Sequence, residues 1–175
     1  RDKIEEFKVS GKFVMAYSDL YDQKSYYLAS VADSVFINPI GSVDFKGLSS
    51  EILFYKNLQE KTGVKMEVIR HGKYKSAVEP FLYNEMSEDN REQISVFIQS
   101  IWDELVKEIA VSRKVTEEKL NEIADNLLGR NSQLAIENKL VNNAIYFDEY
   151  VEKLKRAAQN STNKKLEKIK IDDYI

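Results

Sequence analysis

The sequence predicts a layered α/β fold, in which helices flank a largely parallel sheet and an extended strand or arm follows at the carboxyl end. Short apolar segments of strand length alternate with helical patterns along the first part of the chain. A long amphipathic helix occupies the middle. The repeated order of helix, short strand and helix is typical of parallel strands joined by right-handed crossovers.

The first part of the chain predicts two steps from helix to strand. Apolar residues before Gly11 indicate a helix that ends at this glycine, ahead of a buried strand over 13–17. Residues 25–32 are apolar on almost every side and predict a largely buried helix, followed by a strand over 34–37. Asn38-Pro39-Ile40-Gly41 carries turn residues, so we expect the strand to end there.

The next part predicts one helix and one strand. Ser49 is a suitable N-cap for a helix that ends at Gly63. Apolar and charged residues alternate over 64–70, which predicts a half-buried strand. The segment 71–80 then leaves that strand.

The clearest predicted element is a long helix capped by Ser87. Its apolar residues recur at three- and four-residue spacing, at Ile94, Phe97, Ile98, Ile101, Trp102, Leu105 and Ile109. Shorter helices follow over 116–128, 133–138 and 147–158. We expect a linker over 160–163 and a strand over 166–172, with its pairing partner in another chain or domain.

Composition excludes several classes of function. A formal net charge of -3 argues against a protein that mainly neutralises nucleic-acid phosphates, so we expect no nucleic-acid partner. The absence of cysteine excludes disulfides, Cys-ligated zinc and a cysteine nucleophile. No apolar run approaches the roughly 20 residues that span a bilayer. The sequence begins without methionine and inside a predicted helix, so we expect a piece of a longer protein.

The sequence lacks residues that the commonest catalytic sites require. The chain has one histidine, His71, and no Gly-x-Ser-x-Gly segment, which disfavours a Ser-His-Asp triad. The position of His71 beside Gly72 is typical of a surface residue at a strand end. Residues 72–76 lack the first glycine of a phosphate-binding loop. We therefore expect no bound nucleotide, metal or other cofactor.

One segment carries a specific resemblance. Tyr74-Lys75-Ser76-Ala77-Val78-Glu79-Pro80-Phe81 resembles the motif that bears the lysine base in the long-form bacterial protease IV, or signal peptide peptidase A, family. Similar stretches cover most of residues 1 to 157, at 23–30, 39–44, 55–56 and 135–141. The resemblance implies a ClpP/crotonase-like peptidase domain over residues 1–158, without the N-terminal part of that domain. Residues 159–175 would be the linker and strand that lead to an absent second domain.

The resemblance also implies a function. The full protein would be a serine peptidase of the Ser-Lys dyad type that degrades signal peptides or other hydrophobic peptides, with Lys75 as general base. The serine would come from the second domain of the same protein, where a serine and two glycines occupy the position of Gln23-Lys24-Ser25. This chain alone would then be inactive.

The assembly and location of the protein are likewise implied. Family members suggest a homo-oligomer, specifically a tetramer. They also suggest the bacterial inner membrane, with the catalytic domain on the periplasmic side and an anchor absent from this chain.

A lysine base requires a lowered pKa. The unperturbed value is about 10.4, and a base working at neutral pH needs about 7 to 8, a preference for the neutral amine of about 4 kcal/mol. Arg70 and Lys73 favour the neutral amine of Lys75 by repulsion, and Tyr74 offers apolar cover. Glu79 would oppose the shift if its carboxylate faced the amine.

Other residues keep two interpretations. Ser76 either orients the lysine amine or caps its own turn. Gly41 and Ser42 either line a substrate groove or, as turn chemistry favours, only shape a turn. The apolar stripe of the long helix is better explained as core or subunit interface than as a peptide groove.

Two further functions compete with the peptidase. The first is a non-catalytic oligomerisation or scaffold domain of the same fold, because exposed strand edges favour pairing with another chain. The second is a crotonase-like acyl-thioester enzyme, which ranks last because the sequence offers neither paired carboxylates nor a glycine-rich oxyanion turn.

Overall fold

The computed structural model describes residues 1–67, 76–162 and 169–173. The helices in this part of the chain are α1 (Asp2–Val9), α2 (Gln23–Ala29), α3 (Lys56–Thr62), α4 (Glu79–Leu82), α5 (Glu88–Arg113), α6 (Glu117–Asp125), α7 (Ser132–Glu137) and α8 (Phe147–Thr162). The strands are β1 (Met15–Tyr21), β2 (Ser34–Val43) and β3 (Asn143–Ala144). Short 3-10 turns occupy Ser76–Val78 and Ile171–Asp173.

The three strands form one parallel sheet in the order β1-β2-β3. Met15 pairs with Ser34 at the start of β1 and β2, and Phe36 pairs with Asn143 of β3. Helix α2 makes the crossover from β1 to β2, as expected for parallel neighbours. The predicted α/β fold with a parallel sheet and flanking helices is therefore confirmed.

The chain divides into two compact units, 1–46 with 106–175, and 47–105. The first unit holds the sheet and a core of side chains that solvent hardly reaches, at Tyr26, Val35, Ile37, Val43, Phe45, Val106, Ile109, Leu120, Ile123 and Leu140. Tyr26 is fully buried, and its hydroxyl donates to the Leu140 carbonyl over 2.8 Å. Burial raises the pKa of the phenols of Tyr21 and Tyr26, so both stay neutral over the physiological range.

The second unit contains α3, α4 and the first part of α5. It begins with residues 47–55, which form no regular helix or strand. Leu53 in this stretch is 69% exposed. The helices of this unit are joined by contacts around α4.

Local signals located many helix ends correctly. Helix α1 ends before Gly11, whose φ of +83° is easy for glycine alone. Helix α3 ends at Gly63 in the left-handed conformation. Helix α5 begins after Ser87, whose Oγ accepts from the backbone N–H of Asn90 over 3.3 Å. Thr116 caps α6 in the same way through Lys119 N–H.

The prediction that the second strand ends at 38–41 was wrong. Strand β2 continues to Val43, and the pairing jumps from Ser18 with Ile37 to Leu20 with Ser42. The turn residues form a bulge inside the strand, where a proline without an N–H is tolerated.

Three other predicted elements also differ. Helix α2 is not buried on every side, because Leu28 is 49% exposed and Tyr26 is its one buried residue. The helix predicted from Ser49 begins at Lys56, since Tyr55 N–H bonds to Pro80 instead of to a preceding helical turn. Residues 64–67 are exposed and form no strand, and the rest of that predicted strand lies outside the described residues.

The carboxyl end departs from the expected linker and strand. Helix α8 starts at Phe147 as predicted, but continues through Thr162 into the stretch assigned to the linker. Of the strand predicted over 166–172, the end belongs to the 3-10 turn Ile171–Asp173, and 166–168 lie outside the described residues. The domain boundary at residue 158 stays a prediction.

Candidate active site

The candidate general base Lys75 lies in the stretch 68–75, outside the described residues, as do His71, Lys73 and Tyr74. The described chain resumes at Ser76, the residue that follows Lys75. The part of the site that the structure describes is therefore the segment that immediately follows the lysine. That segment belongs to the second compact unit.

The chain after Lys75 enters two short helical turns in succession. Ser76–Val78 form a 3-10 turn, and α4 (Glu79–Leu82) follows without a break. Pro80 occupies the first turn of α4, where its fixed φ suits a helix and its missing N–H costs no helical hydrogen bond. The backbone N–H of Tyr83 closes α4 by donating to the Glu79 carbonyl over 2.9 Å. The motif's last three residues, Glu79, Pro80 and Phe81, thus lie on a defined helical turn.

Helix α4 is fastened to α3 through backbone carbonyls and an aromatic stack. Tyr55 N–H donates to Pro80 O over 2.7 Å, and Gln59 Nε2 donates to Phe81 O over 2.9 Å. The rings of Tyr55 and Phe81 stack with centroids 5.7 Å apart and planes 19° apart. Offset stacking of this kind contributes about 0.5–1.5 kcal/mol beyond the area buried. The turn is therefore held to α3.

Helix α4 is fastened to the start of α5 through the carboxylate of Glu79. Glu79 Oε1 accepts from Ser87 Oγ over 2.6 Å. Its Oε2 accepts from Asn90 Nδ2 over 2.9 Å and from Ser87 N over 3.2 Å. Glu79 is only 9% exposed, and Asn90 is 6% exposed. We call this arrangement of Glu79, Ser87 and Asn90 the carboxylate clamp.

Sequence reasoning missed the carboxylate clamp. The sequence predicts for Glu79 only a charge near Lys75, and for Ser87 only a cap of α5. A glutamate eight residues before an N-cap serine carries no local signal, because the chain must first fold back for the two to meet. The one available signal was that a serine N-cap also has a hydroxyl proton to donate.

Gln23-Lys24-Ser25, the stretch that the resemblance matches to a serine and two glycines of a second domain, lies at the start of α2. Gln23 is the first residue of α2, and its Oε1 accepts from the backbone N–H of Lys46 over 3.2 Å. Asp22 caps α2 by accepting from Ser25 N–H over 2.6 Å. The hydrogen bond from the Ser25 N–H holds the pKa of the Asp22 carboxyl below its usual value. Ser25 Oγ donates to Asp22 O over 3.1 Å.

Gly41 and Ser42 lie in the β2 bulge. A Cβ on Gly41 would stand 2.2 Å from the backbone oxygen of Asp19, so glycine is required here for the close approach of two strands. Ser42 pairs with Leu20. This close approach of β1 and β2 is enough to explain why glycine occupies position 41, and it requires no substrate groove.

The apolar stripe of α5 is divided between interior and surface. Trp102, Val106 and Ile109 are buried. Val96 and Phe97 are each 64% exposed, and Ile101 is 44% exposed. The buried residues confirm the core interpretation for the second half of the helix.

Neither a metal centre nor a membrane span is found among the described residues. No group of three or more His, Cys, Asp or Glu in that part of the chain could hold a metal ion. None of its described helices is long and apolar enough to cross a bilayer.

Comparison with known proteins identifies the family. The model of Peptidase family S49 matches residues 6–161. Protease 4 of Haemophilus influenzae is 35% identical over 98% of this chain and 29% of its own length. Protease 4 of Salmonella typhi is 37% identical over 79% of this chain and 24% of its own length. The chloroplastic serine protease SPPA of Arabidopsis thaliana is 28% identical over 99% of this chain and 26% of its own length.

The chain thus spans less than a third of the length of these relatives. The matches confirm the resemblance to protease IV and signal peptide peptidase A that the motifs indicate. This chain therefore belongs to peptidase family S49.

Proposed function

We propose that this chain is the lysine-bearing part of a serine peptidase of the Ser-Lys dyad type, with Lys75 as the general base. The observation that carries the proposal is the eight-residue motif 74–81 inside the region matched by the family. The serine nucleophile would belong to a second domain of the same protein, since Gln23 occupies the matching position here. The relative from Arabidopsis thaliana named as a serine protease supports this class of nucleophile.

The proposed reaction uses Lys75 first as a base and then as an acid. The serine hydroxyl attacks the carbonyl carbon of the peptide while the neutral Nζ of Lys75 accepts its proton. The ammonium then donates this proton to the leaving amine as the C–N bond breaks. Water attacks the acyl-enzyme with Lys75 again as base, which releases the acid product and restores the serine.

The substrates we propose are signal peptides and other hydrophobic peptides. A relative in Enterococcus faecium is named as a putative signal peptide peptidase, 26% identical over 81% of this chain. The same resemblance leads us to propose a tetrameric homo-oligomer at the periplasmic face of the inner membrane, anchored by a segment outside this chain. Fractionation of cells and light scattering of the purified full-length protein test the location and the oligomer size.

The central test compares variants of the full-length protein on a fluorogenic hydrophobic peptide. Lys75→Ala removes the base and Lys75→Arg keeps a cation that cannot lose its proton. Both should lower kcat by about 10²- to 10⁴-fold, the usual contribution of a general base. Lys65→Ala is the matched control, because Lys65 is an exposed lysine of the same unit.

The pH dependence adds a second readout. A lysine base is active when deprotonated, so kcat/KM should rise with pH through the lowered pKa of Lys75. Equal oligomer size and equal thermal stability of the variants show that the loss is chemical. Undiminished activity of Lys75→Ala and Lys75→Arg would refute the assignment of the base.

The second candidate function is a non-catalytic scaffold, which one observation favours. Val96, Phe97 and Ile101 expose apolar side chains along one stretch of α5. Exposed apolar surface of this kind often marks a contact with another protein. The scaffold function predicts that Val96→Asp changes the oligomer size while Lys75→Ala leaves activity intact.

A further inference from the structure

The carboxylate of Glu79 is bound at one place by three donors. Ser87 Oγ, Ser87 N–H and Asn90 Nδ2 all point to it, at 2.6, 3.2 and 2.9 Å. Hydrogen bonds from several donors stabilise the charged carboxylate, and so does the positive end of a helix. Helix α5, which starts at Glu88, supplies that end. The carboxylate is therefore held at the start of α5 by three donors.

The position of Glu79 in the chain connects this contact to Lys75. Three residues of a 3-10 turn separate Lys75 from Glu79. Because the turn runs directly into α4, any movement of Glu79 moves the backbone that leaves Lys75. Helix α4 is also held to α3 through Pro80 O and Phe81 O. The described segment after the lysine is thus tied both to α3 and to the start of α5, and Glu79 precedes Pro80 and Phe81 in the sequence.

We infer that Glu79 is a positioning residue for the peptidase reaction, which fixes the exit of the chain from Lys75 by anchoring α4 to Ser87 and Asn90 at the start of α5. The inference rests on the proposed function of Lys75 and deepens it. Glu79 itself does not transfer a proton. It acts by holding the 3-10 turn and α4 in one position.

The alternative role for Glu79 is electrostatic. A carboxylate paired with the lysine amine would favour the ammonium form and raise its pKa, which opposes action as a base. In the clamp, the donors to the carboxylate are the uncharged groups of Ser87 and Asn90. The two roles predict different pH profiles for a variant that removes the charge and keeps the shape.

The experiment uses the full-length protein and three substitutions in the clamp. Glu79→Ala removes the acceptor, and Asn90→Ala removes one donor from the α5 side without touching α4. Glu79→Gln removes the charge, but can still accept from Ser87 N–H and Asn90 Nδ2. Glu85→Gln is the matched control, because Glu85 is an exposed carboxylate between α4 and α5. Lys75→Ala is measured in the same assay.

The expected result separates kcat from KM. Glu79→Ala should lower kcat by about 10- to 100-fold with KM within about twofold, because misplacement of a catalytic group by an ångström can cost about 10²-fold. Asn90→Ala should lower kcat less, and the double variant should lose no more than Glu79→Ala alone, since both act through one contact. Glu79→Gln should recover most of the activity and leave the acid limb of the pH profile unmoved. Glu85→Gln should match the wild type.

Several outcomes would overturn the inference. A wild-type kcat in Glu79→Ala refutes positioning, as does full additivity of the two alanine variants. An acid limb that moves to lower pH in Glu79→Gln shows that the charge acts on the base directly. If Glu79→Ala does not fold, Asn90→Ala and Glu79→Gln decide between the same outcomes. Failure of the proposed function is recognised separately, because Lys75→Ala would then remain active.

Discussion

Substitution of Gly41 by alanine should destabilise the fold by forcing apart two paired strands. Gly41 lies in the β2 bulge, and an added Cβ would stand 2.2 Å from the backbone oxygen of Asp19. It would also stand 2.9 Å from Cγ1 of Ile37 and 3.0 Å from the backbone oxygen of Asn38. Two of these three atoms belong to the backbone, so no side-chain rotation relieves the overlap.

The magnitude follows from how the overlap is relieved. A carbon and an oxygen that are not bonded approach to roughly 3.2 Å, so β1 and β2 must separate locally by about 1 Å. Forcing additional atoms into a packed interior costs about 1–3 kcal/mol. We expect the upper part of this range, about 2–3 kcal/mol, because backbone must move. For a domain of this size that is a fall in Tm of about 4–12 °C.

Thermal unfolding of this chain, followed by circular dichroism, measures the effect. Ser42→Ala is the matched control, because it changes a half-buried neighbour in the same bulge without adding atoms, and should stay within about 0.5 kcal/mol of the wild type. If Gly41→Ala unfolds at the wild-type temperature, the bulge yields without cost and the account of Gly41 is wrong.

Further predictions concern the core and the helix ends. Tyr26→Phe should cost about 1–3 kcal/mol, because it leaves the buried carbonyl of Leu140 without its phenolic donor; unfolding in urea measures it, and an unchanged midpoint would contradict it. The raised pKa of Tyr26 predicts stability that is constant below pH of about 10 and declines at higher pH, where the unfolded phenol ionises first. Stability measured against pH should show a smaller alkaline decline in Tyr26→Phe, and an identical decline would refute the link. Thr116→Ala should cost about 1 kcal/mol by removing the acceptor for Lys119 N–H, whereas Thr116→Ser should retain the stability of the wild type in the same assay.

Local chemistry explains what the sequence could predict about the fold. Gly11 and Gly63 adopt positive φ, and Ser87 and Thr116 accept from N–H groups three residues ahead. These signals act within one helical turn, so they need no knowledge of the tertiary structure. The long α5 was equally accessible, since its period of apolar residues is a property of the sequence alone.

Contacts between distant residues explain the errors. The turn residues 38–41 stay inside β2 because β1 pairs on both sides of them, which no local signal reveals. Ser49 is bypassed as a cap because Tyr55 N–H finds Pro80 O instead. The carboxylate clamp joins residues 8 and 11 positions apart, which no local signal predicts either. The proposal of Lys75 as the base rests on an eight-residue resemblance, because a lysine by itself carries no sequence signature of a base.

The open stretch 47–55 has a practical consequence for handling the protein. It forms neither helix nor strand and exposes Leu53. An added protease should therefore cleave it, and a short peptide can be inserted into it. A short epitope or a fluorophore site placed beside Glu51 should be accommodated there, whereas the same insertion in the β2 bulge would break the sheet. Because α3 follows at Lys56, such a reporter would lie next to the helix that holds α4. Its signal should change when the contact between α3 and α4 loosens.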